Sequence, residues 1–503
     1  MPLSLDEVLK ATALLKQVGD DRSLLEDVPE PDAKALLEAA GRLANPSKDE
    51  SQRLQKHRLR RLRLEQREQD RARRAEAAIR QARKNPVFVP PQNILGAGVP
   101  HQPRTGRLLE KPFHCYVCKR EFREVHHFYD SMCLECGDFN YLKRFQVAPL
   151  EGKVALITGA RVKIGFQASL MLLRSGAHVI ATTRFPHDAT QRYLKEPDFT
   201  KWGHRLEVYG LDLRHAPSVE LFAQFVSRTH ERLDILINNA AQTVRRPPGF
   251  YRHLAELEHS DVRALPEASQ QLLMGHSTLV DQVKPRAAPT ELATFRSHDP
   301  AVGLHSSAAL SLVPYDLEQD TSHAFPEGRL DADLQQVDLR TVNSWRLTLG
   351  EVATGEMLEV HLVNAVAPFI LCGKLRGLMT RNRTDQWGHV VNVSAMEGSF
   401  SRGTKTDKHP HTNMAKAALN MMTLTSAPDY AKSKLAMNAA DTGWVTDEDP
   451  VQHAERKTQE LGFEPPLDIV DGAARVVDPV FEAERTGEFV WGKFFKDYKP
   501  TAW

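Results

Sequence analysis

The feature that most constrains the fold is a short strand-like segment that ends in a glycine turn and leads at once into a helix-like segment. The apolar run Val154–Ile157 stops at Thr158 and Gly159. Gly165 follows six residues after Gly159, and an apolar-periodic segment begins at Phe166. A strand, a glycine turn and a helix in this order bring backbone N–H groups and a helix N-terminus against the pyrophosphate of a dinucleotide. The segment therefore predicts a nucleotide-binding α/β domain.

Length and composition allow two or three ordinary globular units. The 503 residues are 41% hydrophobic and 26% charged, and the net charge of +1 favours no class of partner. The chain has no run of eighteen apolar residues and no basic segment of the signal-peptide type, so we expect no membrane span and a cytoplasmic location. Four of the five cysteines form two CxxC pairs, which indicates a reducing compartment and a metal site.

Residues 1–84 predict a helical N-terminal region. Ser4 with Glu7, and Ser47 with Glu50, fit the capping box in which a serine and a glutamate open a helix. The segment 49–84 has no Gly or Pro and carries thirteen Lys or Arg against six Asp or Glu. This pattern favours a solvated helical arm. Contact with nucleic acid or with an acidic protein is the alternative, although no aromatic residues interleave with the basic ones.

The rest of the chain divides by composition. Residues 85–112 are rich in Pro and Gly and predict a linker, and 113–140 contain the paired cysteines. From 150 to 503 strand and helix patterns alternate, which predicts a doubly wound parallel sheet with helices on both faces. About 250–338 shows little periodicity. Because a structureless stretch of that length is unusual inside one domain, we expect an insertion, a lid or a flexible loop there.

The two CxxC pairs predict a zinc-knuckle module. Cys115 and Cys118 form one pair, Cys133 and Cys136 form the other, and fourteen residues separate the pairs. Two such pairs supply the four thiolates of a tetrahedral zinc site, with sulfur at about 2.3 Å from the metal. Four protein ligands leave no open coordination position, so we expect a structural zinc. Redox-active cysteines and two unrelated pairs are the alternatives.

Several segments resemble, in chain order, the landmarks of the short-chain dehydrogenase/reductase family. These segments are Thr158–Gly165, Ala181–Arg184, Leu211–Leu213, Asn238–Ala241, Val363–Ala365, Asn392–Ser394, Lys416–Leu419 and Asp441–Val445. The resemblance covers about 151–249 and 340–503. It implies a Rossmann-type fold and an oxidoreductase that acts on a carbonyl or alcohol group of a small-molecule substrate. Relatives of this kind often form dimers or tetramers, so a homo-oligomer is one expectation.

The resemblance also implies a cofactor. It places NADP(H) on the glycine turn, with the contacts made by Gly159, Arg161, Ile164 and Gly165. Arg161 and Arg184 lie where an adenosine 2′-phosphate is expected. No Asp or Glu follows the second strand to bind a 2′-hydroxyl, which favours NADP(H) over NAD(H).

Three further positions of the resemblance concern the same cofactor. Asp212 aligns with a residue that contacts adenine, and Asn239 belongs to a turn near the adenosine ribose. Lys163 stands where the family has its middle glycine. Its charge could assist phosphate binding, or its bulk could obstruct the close approach that glycine permits.

The family's catalytic set aligns only in part. Asn364 aligns with the residue that supports a bound water, and Lys416 with the lysine that holds the nicotinamide ribose. The tyrosine position falls on Thr412, whose hydroxyl is a far weaker acid than a phenol. The serine position falls on Ala395, with Ser394 one residue earlier.

A substitute proton donor is therefore needed for catalysis. The segment 399–411 is longer than the usual connection, so His409 or His411 could supply the proton, and we take His411 as the candidate. Tyr430 and Lys434 match the Y-x-x-x-K pattern but lie beyond the helix that Lys416 opens. We do not assign them to the active site.

Three functions are compatible with the sequence. The first is an NADP(H)-dependent oxidoreductase with an atypical proton donor. The second is an NADP(H)-binding pseudoenzyme or redox sensor, whose zinc module or basic helix engages a protein partner. The third is an interaction protein in which the fold is only a scaffold.

Overall fold

The computed structural model describes residues 4–89, 91, 93, 94, 100, 102–283, 299–314, 322–381 and 386–503. Residues 90, 92, 95–99 and 101 of the predicted linker, and 284–298 and 315–321 of the predicted insertion, lie outside the described residues. The chain forms two compact units, Met1–Arg71 and Ala72–Trp503.

The first unit is helical. It contains α1 (Leu5–Asp20), α2 (Glu30–Ala44) and most of α3 (Lys48–Ala75). The capping box at Ser4 is confirmed, because the Glu7 N–H donates to the Ser4 hydroxyl and Glu7 accepts from the Ser4 N–H. Ser47 and Glu50 make the same exchange before α3. None of the described side chains of α3 is buried, in keeping with a solvated helix.

The second unit is built around a long parallel sheet. Its strands are β1 (Leu108–His114), β2 (Glu121–Glu124), β3 (Val154–Thr158), β4 (His178–Thr183), β5 (Leu206–Gly210), β6 (Ile235–Asn238), β7 (Gly388–Ser394), β8 (Leu435–Asp441), β9 (Phe494–Lys496) and β10 (Lys499–Thr501). Strands β3 to β10 form the sheet in the order β10-β9-β8-β7-β6-β3-β4-β5. All neighbours pair parallel except β9 and β10. The predicted doubly wound Rossmann-type fold is confirmed.

The described part of the second unit also contains helices, which lie on both faces of the sheet, in the loops and in the cysteine segment. They are α4 (Ala78–Ala82), α5 (Leu134–Lys143), α6 (Lys163–Arg174), α7 (Pro186–Leu194), α8 (Phe199–Trp202), α9 (Ala216–Thr229), α10 (Pro248–His259), α11 (Glu267–Leu272), α12 (Met274–Val283), α13 (Val302–His305), α14 (Thr354–His361), α15 (Ala367–Thr380), α16 (Pro410–Ala431), α17 (Val451–Arg456) and α18 (Ile469–Thr486). Successive strand residues face opposite sides. Leu156 thus joins a core with α9 and α15, whereas Ala155 and Ile157 join a core with α6 and α18.

The cysteine segment is fixed to the sheet domain. Strands β1 and β2 pair antiparallel, and α5 packs against α18. The guanidinium of Arg144, just after α5, is fully buried and pairs with Asp468 and Asp471 at the start of α18. A charge buried in this way is stable only with its partners, so the pairing holds the two segments together.

The predicted insertion contains regular structure. Helices α10 to α13 lie in its described part, and α10 packs against α7. One stretch elsewhere, Thr354–Thr380, is long and apolar enough to cross a membrane by length and composition. It consists of α14, a π-helical turn and α15, and it packs against α9 and α16 in the described fold.

Candidate functional site

A cavity of about 580 Å³ lies at the carboxyl ends of the parallel strands. The residues that follow β3, β4, β6 and β7 supply much of its wall, among them Gly159, Arg184, Asn239 and Ala395. Ligands of open α/β sheets bind at this edge, and pockets for small molecules have volumes of roughly 300–1,000 Å³. The cavity therefore has the position and the size expected of a ligand site.

The glycine turn has the close packing that requires glycine. Gly159 has a φ of +69°, and a Cβ there would lie 2.9 Å from the Cα of Ala240. A Cβ on Gly165 would collide with the carbonyl oxygen of Gly159 and with the Asn239 side chain. Lys163, at the middle glycine position, also takes a left-handed conformation, with a φ of +55°. It thus adopts a backbone geometry that lysine disfavours.

Asn239 holds this turn in place. Its side-chain amide donates to the carbonyl oxygens of Thr158 (2.9 Å) and Gly159 (3.2 Å). The Thr158 hydroxyl in turn accepts from the N–H groups of Asn239 and Ala240. These contacts place Asn239 against the backbone of the turn, where it fixes the loop.

The two arginines predicted to bind a 2′-phosphate have different surroundings. Arg161 is buried, and its guanidinium donates to Asp188 (2.7 Å) and to Gln335 (2.7 Å). Arg184 donates to the hydroxyls of Ser311 (3.0 Å) and Tyr251 (2.8 Å), and it lies 4.8 Å from the Tyr251 ring centroid. Asp188 offsets the charge of Arg161, whereas the described hydrogen bonds of Arg184 go to neutral groups. Arg184 is the better placed of the two to meet an anion.

The strand end at Asp212 is also occupied by protein contacts. The Asp212 carboxylate forms an ion pair with Arg214 (2.6 Å), and its backbone N–H donates to the Gly303 carbonyl (2.8 Å). Burial alone would raise the pKa of Asp212, but the hydrogen bonds and charge of Arg214 lower it. Asp212 lines the cavity as an ionised, paired carboxylate.

Among the predicted catalytic residues that line the cavity, Lys416 has the most strongly shifted pKa. Its side chain is buried, and its ammonium donates to the Val393 carbonyl at 2.8 Å. Burial lowers its pKa to about 8. Ser394 also lines the cavity, and its hydroxyl donates to Asn420 at 2.5 Å. A lysine with this pKa can give up or accept a proton near neutral pH.

Asn364 lies in the π-helical turn Leu362–Val366. Its side-chain amide donates to the Gln242 carbonyl (2.7 Å), and its side-chain oxygen accepts from the Gln242 N–H (3.1 Å). The two bonds fix the chain beyond β6. Gln242 itself lines the cavity, so Asn364 acts on the site through this backbone.

The structure places His411 and Thr412 outside the described lining of the cavity. The Thr412 hydroxyl donates to the Thr243 carbonyl at 3.1 Å. His411 is buried, and neither of its ring nitrogens has a hydrogen-bond partner among the described residues. Burial lowers its pKa, which favours a neutral ring. The hypothesis that His411 donates the proton therefore lacks direct access to the cavity.

Two further segments, which carry no functional motif in the sequence, complete the wall of the cavity. One is the end of the insertion, where Gln335 contacts Arg161 and Asp338 pairs with Arg246. The other is the acidic loop 447–449, in which Glu448 accepts hydrogen bonds from Thr243 and Thr446. The acidic run was visible in the sequence but is typical of a solvated loop. Nothing in the sequence pattern indicated the position of Gln335.

The four cysteines of the two CxxC pairs come together. The sulfur atoms of Cys115, Cys118, Cys133 and Cys136 all lie within 4.8 Å of one another. Cys118 and Cys133 are 3.8 Å apart, and a tetrahedron with metal–sulfur bonds of 2.3 Å has edges of about 3.8 Å. Burial alone would raise the pKa of Cys118, but hydrogen bonds from Arg120 lower it to about 6. The donor set and its spacing fit a zinc ion.

The cysteine segment contacts a turn that forms part of the cavity wall. The hydroxyl of Tyr116, next to Cys115, accepts a hydrogen bond from the Trp444 N–H at 3.0 Å. Trp444 lies in the turn after β8, and its neighbours Thr442 and Val445 line the cavity. The position of this turn therefore depends on the cysteine segment.

The sheet and its helices define a fold of the short-chain dehydrogenase/reductase type, and residues 153–264 match the family described as short chain dehydrogenase. The chain is 30% identical over 402 residues to Uncharacterized protein R665 of Acanthamoeba polyphaga mimivirus, a match that covers 76% of this chain and 74% of the viral protein. The chain belongs to the same protein family as that viral protein.

Other matches are shorter. Retinol dehydrogenase 13 of Homo sapiens is 34% identical over 93 residues, which is 18% of this chain and 28% of the human protein. (-)-Isopiperitenone reductase of Mentha piperita is 34% identical over 116 residues, which is 22% of this chain and 36% of the plant protein. An NADPH-bound carbonyl reductase from chicken fatty liver is 16% identical, with a TM-score of 0.41 over 70% of this chain and 100% of that chain.

Proposed function

We propose that the protein is an NADP(H)-dependent oxidoreductase that acts on a carbonyl or alcohol group of a small molecule, with an atypical proton donor. The observation that carries the proposal is the cavity at the carboxyl ends of the strands, which is lined by the glycine turn and by Arg184. Named relatives with oxidoreductase activities, such as retinol dehydrogenase 13, support the same reaction class.

The residues present fit this cofactor. Gly159 and Gly165 permit the close backbone packing of the turn at the start of α6, where backbone N–H groups and the helix N-terminus favour a pyrophosphate. Arg184 offers a guanidinium whose described hydrogen bonds go to hydroxyls, which a 2′-phosphate can replace. When bound, the nicotinamide supplies or accepts the hydride. Lys416 would hold the nicotinamide ribose.

Lys416 is our candidate for the proton donor as well. It lines the cavity, and burial brings its pKa to about 8, so the ammonium form is populated at neutral pH and can release a proton. Ser394 also lines the cavity, and because its hydroxyl proton goes to Asn420 it could meet a substrate hydroxyl as a hydrogen-bond acceptor. His411 was the donor that the sequence analysis favoured, but its ring does not reach the described cavity wall.

We further propose that the four cysteines hold a structural zinc ion. Zinc would fix the segment that carries Tyr116 and, through Tyr116, the Trp444 backbone beside the cavity. Its role in the proposed enzyme is thus to position one part of the cavity wall. The alternative function is that of a cofactor-binding sensor in the cytoplasm. In that case the zinc module would bind a protein partner.

The test is hydride transfer from NADPH to a panel of aldehydes, ketones and quinones, followed by absorbance. We expect turnover by the wild type and by His411→Ala, and loss of at least 100-fold in Lys416→Met, because a general acid contributes about 10²- to 10⁴-fold. Loss of turnover in His411→Ala with unchanged NADPH affinity would return the donor role to His411. NADPH binding without turnover on any substrate would favour the pseudoenzyme.

A further inference from the structure

A second cluster of metal-ligating side chains lies at the opposite edge of the sheet from the cavity. His178 begins β4, Glu207 is the second residue of β5, and His230 follows the last residue of α9. Their donor atoms lie within 4.8 Å of one another. The cluster is separate from the four cysteines and from the residues that line the cavity.

The strand register explains why these residues meet. Glu207 pairs with Ile180 across the parallel strands β4 and β5. Side chains two residues apart in a strand share a face, so His178 lies on the same face as Glu207. Helix α9 covers this face, where Phe222 packs against Tyr209. The end of α9 therefore brings His230 over the same carboxylate.

Both imidazole rings address one oxygen atom. The Nε2 atoms of His178 and His230 lie 2.7 Å and 3.2 Å from the same carboxylate oxygen of Glu207, Oε1. The other oxygen, Oε2, accepts a hydrogen bond from the Tyr209 hydroxyl at 2.6 Å. Tyr209 thus orients the carboxylate and leaves Oε1 for the two rings.

The hydrogen bonds around His230 suit a tautomer with the proton on Nδ1 and the lone pair on Nε2. The Thr229 hydroxyl donates its proton to the Phe225 carbonyl at 2.9 Å. Thr229 Oγ1 also lies 3.0 Å from His230 Nδ1, so it can accept a hydrogen bond from that nitrogen while its own proton goes to Phe225. In a neutral ring the proton is then on Nδ1, and Nε2 presents a lone pair to the Glu207 carboxylate.

In that tautomer, two lone pairs face each other at 3.2 Å and need a positive charge between them. A metal ion supplies it, and a hydrogen bond on the far ring nitrogen is the usual way in which metal-binding histidines are held. Bonds of about 2.0–2.1 Å to zinc place donor atoms about 3.3 Å apart in a tetrahedron, so the His230 contact with Glu207 already has this length and the His178 contact would have to open by about half an ångström.

We infer that His178, Glu207 and His230 form a second divalent-metal site of the two-histidine, one-carboxylate type, suited to Zn²⁺. The side chains of His178 and Glu207 are 32% and 27% exposed, so an ion has a route in and water can complete the coordination. A proton on His230 in place of the metal is the competing explanation, and it predicts no metal at this site.

The zinc content of the protein distinguishes a metal ion at this site from a proton on His230. The protein is stripped with a chelator, reloaded with zinc sulfate under reducing conditions, passed through a desalting column and analysed by mass spectrometry for zinc. We expect His230→Gln to hold one zinc per chain fewer than the wild type. His204→Gln, which alters an exposed histidine just before β5, is the matched control and should keep the wild-type content. Equal zinc in His230→Gln and wild type would overturn the inference.

Two further measurements guard against a folding artefact. Cobalt in place of zinc should keep the intense thiolate charge-transfer bands of the cysteine site in His230→Gln, which shows that this variant still folds. X-ray absorption of the zinc-loaded wild type should contain nitrogen or oxygen neighbours at about 2.0 Å in addition to sulfur at about 2.3 Å. A wild-type spectrum with sulfur neighbours alone would overturn the site even if the variant failed to fold.

Discussion

Replacing Lys416 with Met is expected to stabilise the fold while it removes hydride transfer. The Lys416 side chain is buried, and its only described hydrogen bond goes to the Val393 carbonyl. Burial lowers its pKa from 10.5 to about 8. A lysine whose charge is disfavoured in this way weakens the folded state whenever it is protonated.

The magnitude follows from the pKa. A value of about 8 in the fold against 10.5 in the unfolded chain corresponds to about 3 kcal/mol of lost stability at neutral pH. Methionine removes this loss but leaves the Val393 carbonyl without its donor, at a cost of about 1–2 kcal/mol. We therefore expect Lys416→Met to be more stable than the wild type by about 1–2 kcal/mol at pH 7.

The pH dependence has a definite sign. Between pH 8 and 10.5 the unfolded chain holds the lysine proton and the folded chain does not, so the wild type gains stability as pH rises. The advantage of Lys416→Met should shrink by about 1 kcal/mol from pH 7 to pH 9 in urea unfolding measured on both proteins. A difference that stays constant with pH would refute the buried, perturbed lysine.

Three other changes test separate parts of the site. Arg184→Gln should raise the Kd for NADPH by about 10- to 100-fold and leave NADH unchanged, because a charge-assisted contact contributes about 1.5–3 kcal/mol; equal effects on both cofactors in calorimetry would argue against a 2′-phosphate contact. Gly165→Ala should destabilise the fold by about 1–3 kcal/mol and abolish cofactor binding, since its Cβ collides with Gly159, whereas Gly373→Ala, where a Cβ meets open space, should not. Removal of zinc by a chelator should weaken NADPH binding several-fold through Tyr116 and Trp444, and Tyr116→Phe should reproduce part of that effect with zinc still bound; affinity that is independent of zinc would disconnect the module from the cavity.

The sheet could be predicted because its signals are local. Several buried strands contain a short apolar run, as in Val154–Ile157 and Ile235–Ile237, and a turn or a polar residue such as Thr158 or Asn238 follows it. The cysteine cluster was equally accessible, since two CxxC pairs leave few other arrangements. These features depend on neighbours in the sequence and needed no knowledge of tertiary contacts.

The contacts of the residues in and near the cavity wall involve residues far apart in the sequence and were harder to predict. Arg161 follows the glycine turn as expected, but Asp188 and Gln335 hold its guanidinium, and Gln335 comes from an insertion without clear periodicity. His411 lies in the first turn of the helix that begins at Pro410, and its side chain is buried there, outside the described lining of the cavity. Sequence spacing does not determine which way such a side chain faces.

The most direct measurement is calorimetric titration of the purified, zinc-loaded protein with NADPH and then with NADH. We expect NADPH to bind one site per chain, and NADH to bind at least tenfold more weakly because it lacks the phosphate that Arg184 would meet. If neither NADPH nor NADH bound, the result would contradict the proposed cofactor site. The cavity at the glycine turn would then bind another ligand.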